Sequence, residues 1–267
     1  MSTPPNVPLP AADVGRVLDT AHIPYTLFGW WAAACHGRNN FTREIDFVIH
    51  NDKVDTAASE LVATGHFHRC TDPNCLEPTE NRCDRTPVRQ GGALPMSVWQ
   101  EQLAPNNYHA VAREHLHIEP TKYEYFRVIS LYAQSQLLWS FPELSTTDNR
   151  GFMIPTHAIL VEALFFLRCR DLGHIKHVDA AWGGMLNAAF GPRFIDNDMN
   201  LTEEMKALRR DIREISPRWL PALEGYLFPS PGSGVHPTTA LNRMRAILLA
   251  NNELPDIPPH DLRGFHM

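Results

Sequence analysis

Apolar residues recur at helical spacing over 11–22, where Val14, Val17, Leu18 and Ala21 line one face, and Pro24 stops the run. Tyr25–Phe28 reads as a short strand ending at Gly29, and residues 30–36 (WWAAACH) as a helix entered directly from that turn. Residues 44–49 (EIDFVI) alternate cleanly, with Ile45, Phe47 and Ile49 on one side and Glu44, Asp46 and Val48 on the other. A helix follows over 52–63, with Asp52 near its start and Gly65 past its end. Segments 115–118 (HLHI) and 126–132 (FRVISLY) read as two strands joined by a turn near 120–122, and 133–139 as a helix or turn. After Ser140 the pattern becomes helical: a strongly apolar stretch over 155–170 with Pro155 near its start, then 177–190, 201–215 and 236–251.

These elements predict an α/β (α+β) fold, a small mixed sheet backed by helices, followed by an all-helical C-terminal domain. The expected divisions are a flexible arm over 1–10, an α/β domain over 11–148, a helical domain over 152–253 and a tail over 254–267. Pro, Asn, Asp, Thr and Gly dominate 70–110, which reads as a long insertion within the first domain.

Composition narrows the function classes. The chain has 267 residues, 43% of them hydrophobic, so it can bury a core. Lys and Arg number 24 against 30 Asp and Glu, for a net charge of −6, and a coat for duplex nucleic acid is not expected from that balance. No apolar run is long enough for a membrane-spanning helix, and residues 1–10 lack the basic and apolar regions of a secretory signal. With five cysteines and no export signal, a reduced, cytoplasmic protein is expected. Neither a P-loop nor a Gly-x-Ser-x-Gly elbow is present. Cys35 and Cys169 sit in apolar helical surroundings and are expected in the core, whereas Arg209, Arg210 and Arg213 interleave with Glu203, Glu204, Asp211 and Glu214 as a solvated salt-bridge face.

The richest stretch runs from Leu27 to Ile49. Glu44 and Asp46 are alternate residues of one strand and so are expected to project together, where two carboxylates repel unless a divalent cation lies between them. Mg²⁺ uses such carboxylates together with substrate phosphates. Gly29 lets a phosphate approach the backbone, and the helix that follows offers unpaired N–H groups at its positive end.

The order of glycine, short helix, Arg/Thr-containing loop and acid-hydrophobic-acid strand resembles the nucleotidyltransferase superfamily, in particular its minimal and antibiotic-modifying groups. TREIDFVI, the helix KVDTAASELVATG and the strand HLHI carry the likeness. The segments CTDPNC, SLYAQSQLLWSFPEL and ALFFLRCRDLG are similar to uncharacterised filamentous-fungal proteins of this fold, and the likeness covers most of 11–190. It implies Mg²⁺-dependent transfer of a nucleoside monophosphate from an NTP to a small-molecule or protein acceptor. Glu44 and Asp46 would hold the metal, Gly29 would line the triphosphate, and Arg38, Thr42 or Arg43 would touch phosphate. Glu119, on the same strand face as His115 and His117, is the candidate third acid, and Glu119 or His117 the candidate base toward the acceptor. Trp30 stands where the family carries Gly or Ser. That departure motivates a second expectation, a repurposed or inactive nucleotidyltransferase-fold protein that binds a ligand or partner, and the fungal resemblance alone implies a third, a tailoring enzyme of fungal specialised metabolism that reuses the cleft without nucleotide.

A separate constellation is His66-Phe67-His68-Arg69-Cys70 with Cys75 and Cys83. Thiolate and imidazole are the ligands of structural Zn²⁺. Cys70, Cys75, His115 and His117 form a conceivable zinc set, beside the alternative of thiols and exposed histidines without metal.

Overall fold

The computed structural model describes residues 9–36, 44–70, 114–119, 123, 126–137, 145–147, 153–172, 178–190, 203–215 and 237–250. In chain order the elements are α1 (Leu9–Thr20), β1 (Tyr25–Phe28), α2 (Gly29–His36), β2 (Glu44–Ile49), α3 (Val54–Ala63), β3 (Phe67–Arg69), β4 (Glu114–Ile118) and β5 (Val128–Ala133). A single helical turn, α4 (Gln134–Leu137), leads to β6 (Ser145–Thr147), β7 (Met153–Pro155), α5 (His157–Arg170), α6 (Val178–Phe190), α7 (Glu203–Ile215) and α8 (Pro237–Ala250).

Strands β1 to β5 form one mixed sheet in the order β1-β2-β5-β4-β3. Strand β2 is antiparallel to β1 and parallel to β5, and β5-β4-β3 continue antiparallel. The parallel β2–β5 pair is the centre, and both its faces are buried: Ile45 through Ile49 and all of β5 lie in the interior. That is the α/β architecture the alternating and helical patterns predict.

Each face has its own cover. Leu27, Ile45, Phe47, Ile49, Ile129, Leu131 and Leu116 fill one face. There α1 is tied on through Tyr25, whose hydroxyl donates to Asp19, and α3 packs on β3, β4 and β5. The other face carries Phe28, Thr26, Asp46, Val48, Ser130 and Tyr132, and Phe28 meets Trp182 of α6 edge-on at 6.4 Å. Buried apolar residues from α1 to α8 form one continuous cluster, so front and back halves share a core. Cys169 belongs to it as expected, beside Phe165, Phe166 and Trp182, and Cys35 packs against it half-buried.

Four departures from the sequence pattern have plain causes. Helix α1 starts at Leu9 rather than after residue 10, because proline at Pro10 is tolerated in the first turn. Pro155 ends strand β7 instead of opening a helix, and Thr156 caps α5 by accepting from the Ile159 N–H. The β6–β7 hairpin occupies the stretch read as a domain boundary. Strand β3 is only three residues long, too short to show a period. The arm 1–8, most of the 70–110 insertion and the tail 254–267 lie outside the described residues.

Gly29 joins β1 to α2 at φ +67°, a conformation that L side chains rarely adopt. Gly29→Ala is therefore expected to lower the unfolding free energy by about 1–2 kcal/mol, read as a lower urea midpoint at unchanged slope. The adjacent glycines of α6 serve close packing instead. A Cβ on Gly183 would lie 2.9 Å from the Arg168 guanidinium, and one on Gly184 would lie 3.0 Å from the Trp30 ring.

Two buried histidines lock α2, β7, α5 and α6 together. His36 Nε2 donates to Pro155 O at 2.8 Å and His157 Nε2 to Ala189 O at 3.1 Å, and the rings stack 4.9 Å apart. Burial, then the neighbouring His36, hold His157 down at about 3, and burial also lowers His36. Both are neutral in the fold, whereas an unfolded histidine titrates near 6.5. The unfolded chain binds the extra protons, so this contribution is full above pH 6.5 and is lost as pH falls toward 3. Glu162 acts in the opposite sense: burial raises it to about 7, so its contribution is full below about pH 4.5 and fades up to 7. The histidine effect is thus read by difference. At pH 5 the wild type is expected to lose about 2 kcal/mol that a His157→Phe variant retains, measured as the pH dependence of the two urea midpoints.

Candidate functional site

The site is built across the middle of the sheet, on the face where Phe28 meets Trp182 of α6. Strand register sets Phe28, Asp46, Ser130 and His115 in one transverse row, and cross-strand partners share a face. Asp46 is 2% exposed, an unusual place for a carboxylate. Ser130 beside it is fully buried, and neither Ser130 Oγ nor Thr26 Oγ1 has a hydrogen-bond partner among the described residues. Buried hydroxyls left unsatisfied cost about 1–3 kcal/mol each, and such groups mark places where a ligand completes the bonding. Glu44 heads β2 two residues before Asp46, with its backbone opposite Val128.

Gly29 follows Phe28, the cross-strand neighbour of Asp46, so the start of α2 lies at the same end of the sheet as the acids. Trp31 turns into the core against Phe126, with ring centres 6.1 Å apart. Trp30 is half-buried and rests on Gly184. A carboxylate and a hydroxyl are oxygen donors, which suit a hard cation such as Mg²⁺. Asp46 and Ser130 are donors of that kind in adjacent positions of the row.

The structure parts Glu119 and His117 from that pair. Strand β5, not β4, is the neighbour of β2, so Glu119 and His117 stand two strands over from Asp46, about 10 Å sideways at ordinary strand spacing, and further along β4 than His115, which shares the row of Asp46. The residues opposite Glu44 and Asp46 on β5 are Val128 and Ser130, neither an acid. Glu119 instead meets His68 across the β3–β4 edge, Oε2 to Nε2 at 3.2 Å. Arg38, Thr42 and Arg43, and with them Cys75, lie outside the described residues. His115, His117 and Cys70 do come together, at the sheet edge.

Two features escaped the sequence reading. Ser130 is the one small polar residue in VISLYA, inside a buried apolar strand, and that mismatch was the available signal. Glu162 is an acid inside the apolar α5, 6% exposed. A groove of about 620 Å³ between α1 and α3 is lined by residues such as Arg16, Thr20, Glu60 and Thr64. It lies beyond the opposite face of the sheet from Asp46.

No protein-family model matches this chain, and no curated protein matches it. Solved structures include similar chains. A nucleotidyltransferase-like antigenic protein from Paracoccidioides brasiliensis aligns over 80% of this chain and 90% of its own, at 10% identity and a TM-score of 0.41. The solution structure of the antibiotic-resistance factor ANT(2'')-Ia aligns over 76% of this chain and 88% of its own, at 9% identity and a TM-score of 0.35. The crystal structure of ANT(2'')-Ia with adenylyl-2''-tobramycin aligns over 76% and 94%, at 10% identity and a TM-score of 0.36. Likenesses of this size do not fix a function, which rests on the chain's own residues.

Proposed function

We propose that this chain is a nucleotidyltransferase-like transferase that moves a nucleoside monophosphate from an NTP to a small-molecule or protein acceptor. The observation that carries the reading is Asp46, buried at the centre of the sheet two residues after Glu44, beside a strand-to-helix junction opened by a positive-φ glycine. Bound Mg²⁺ would supply charge neutralisation on the phosphates and orient an in-line displacement. Asp46 and Glu44 hold that cation. Gly29 lets a phosphate reach the backbone, and the first N–H groups of α2 receive its charge. Ser130 gives a further oxygen within the same row. Asp46 and Ser130 are both buried, and a water-poor setting strengthens each electrostatic contact made there.

A second reading has its own observation. Strand β5 brings no acid beside Glu44 and Asp46, and Trp30 follows Gly29 directly. Those two features favour a repurposed fold that binds a ligand or partner without nucleotide transfer. Calorimetric titration with each NTP plus Mg²⁺ decides between them. Saturable binding that requires Mg²⁺ supports the transferase, and heat-silent titrations with all four NTPs support the repurposed fold.

A further inference from the structure

Away from the acid row, the β3–β4 edge gathers metal-ligating side chains that the proposed transfer does not use. Antiparallel pairing sets His68 across from His117. The bond from the Cys70 N–H to His115 O, 3.3 Å, carries the ladder one residue past β3 and sets Cys70 across from His115. On the opposite face of the same ribbon Phe67, Leu116 and Ile118 are buried in the core, which fixes the register. In consequence one donor atom each from Cys70, His115 and His117 lies within 4.8 Å of the others, and all three residues are half-buried. The two imidazole rings stand 5.5 Å apart, edge to face.

The geometry points to a Zn²⁺ site formed by Cys70 Sγ and one ring nitrogen each of His115 and His117, with water in the fourth position. One thiolate and two imidazoles are borderline-soft donors that suit Zn²⁺ rather than Mg²⁺. Tetrahedral Zn²⁺ separates such donors by about 3.5 Å, so small side-chain rotations on a fixed ribbon complete the site. Two of the three ligands sit on a strand flanked on both sides, which holds them in place better than a loop would. The site is separate from the acid pair: Ser130 lies between Asp46 and His115 in the same row, so β5 stands between the two centres. Its role is structural. Cys70 stands just before residues 71–113 in the sequence and His115 just after them, so one ion across them ties together two points of the chain 45 residues apart. Such a clip stabilises by restricting the unfolded chain and by the binding free energy itself.

The test uses the full chain, stripped with a chelator and reloaded. Zn²⁺ is titrated in competition with a chromogenic chelator and Co²⁺ is followed by absorbance. One equivalent is expected, and the Co²⁺ form is expected to show a thiolate-to-cobalt charge-transfer band with the intense d–d bands of a tetrahedral site. Zn²⁺ raises the melting temperature as a ligand of the native state. Cys70→Ser removes the charge-transfer band, and His117→Gln weakens Zn²⁺ by more than the roughly 10–100-fold that outer-shell changes cost. Asp46→Asn retains both metal signals, whatever becomes of nucleotide transfer. Absence of stoichiometric metal in the wild type overturns the proposal. So does a charge-transfer band that survives Cys70→Ser, a wild-type affinity in folded His117→Gln, or loss of the site in Asp46→Asn.

Discussion

Replacing Asp171 with alanine is expected to lower the unfolding free energy by about 3–5 kcal/mol, the largest stability effect at any single position discussed. Asp171 follows the C-terminal end of α5 and takes the Arg170 guanidinium in a two-point grip, Nε to Oδ1 at 2.6 Å and the second nitrogen to Oδ2 at 2.7 Å. The arginine side chain is 1% exposed and the aspartate side chain 8%. Arg170 also donates to Gln136 O at 2.8 Å, and the Gln136 side chain accepts from the Ala133 N–H at 3.1 Å, which ties α5 to the end of β5. Trp182 Nε1 donates to Asp171 Oδ2 at 2.6 Å, which ties in α6. One carboxylate therefore balances a buried cation and satisfies a buried indole. Its removal takes the counter-charge from the guanidinium and an acceptor from the indole in a low-dielectric interior, whereas removing the entire pair would relieve the desolvation as well. Asp171→Asn keeps an oxygen for Trp182 but not the charge, so its loss is expected to fall between alanine and wild type. Urea unfolding reads the series, with midpoints shifting at constant slope. An unchanged midpoint in Asp171→Ala would mean that the guanidinium is solvated, contrary to its burial.

How far the sequence reached depended on whether a feature is local. Strand β2 is legible residue for residue because Ile45, Phe47 and Ile49 alternate against one covered face. Gly29 is legible because a strand that runs straight into a helix needs a residue free to adopt positive φ. The β6–β7 hairpin is not, since Ser145, Thr146 and Thr147 carry no apolar alternation and a proline at its end imitates a helix start. The site divides in the same way. The face assignment of Glu119 with His115 and His117 follows from period two and agrees with the His68–Glu119 contact. Its neighbourhood does not follow, because nothing local to β4 or β5 says which of them lies beside β2. Strand order is decided by crossovers and by the packing of the whole chain. That is why nothing in the sequence sets Ser130 beside Asp46 or parts Glu119 from it, while the Cys70–His115–His117 group, set by one antiparallel pair, is partly visible.

The largest functional effect is expected at Asp46. Asp46→Asn should reduce Mg²⁺-dependent nucleotide transfer by about a thousandfold or more, roughly 4 kcal/mol in the transition state, and weaken NTP binding measured with Mg²⁺. The same substitution should leave stability unchanged or raise it. The isosteric amide keeps the shape of a side chain 2% exposed and carries no charge into the interior, and a gain in stability would mark the position as one kept for function. A structural aspartate such as Asp171 gives the reverse pair of results, with a lower urea midpoint and no change specific to nucleotide. The two measurements therefore separate the roles in one variant: label transfer from NTP to acceptor, and urea unfolding without ligand. Transfer that persists undiminished in Asp46→Asn defeats the transferase reading. If the wild type transfers nothing and binds no NTP, while Asp46→Asn is more stable, the buried carboxylate serves another ligand, and the repurposed fold is the reading that stands.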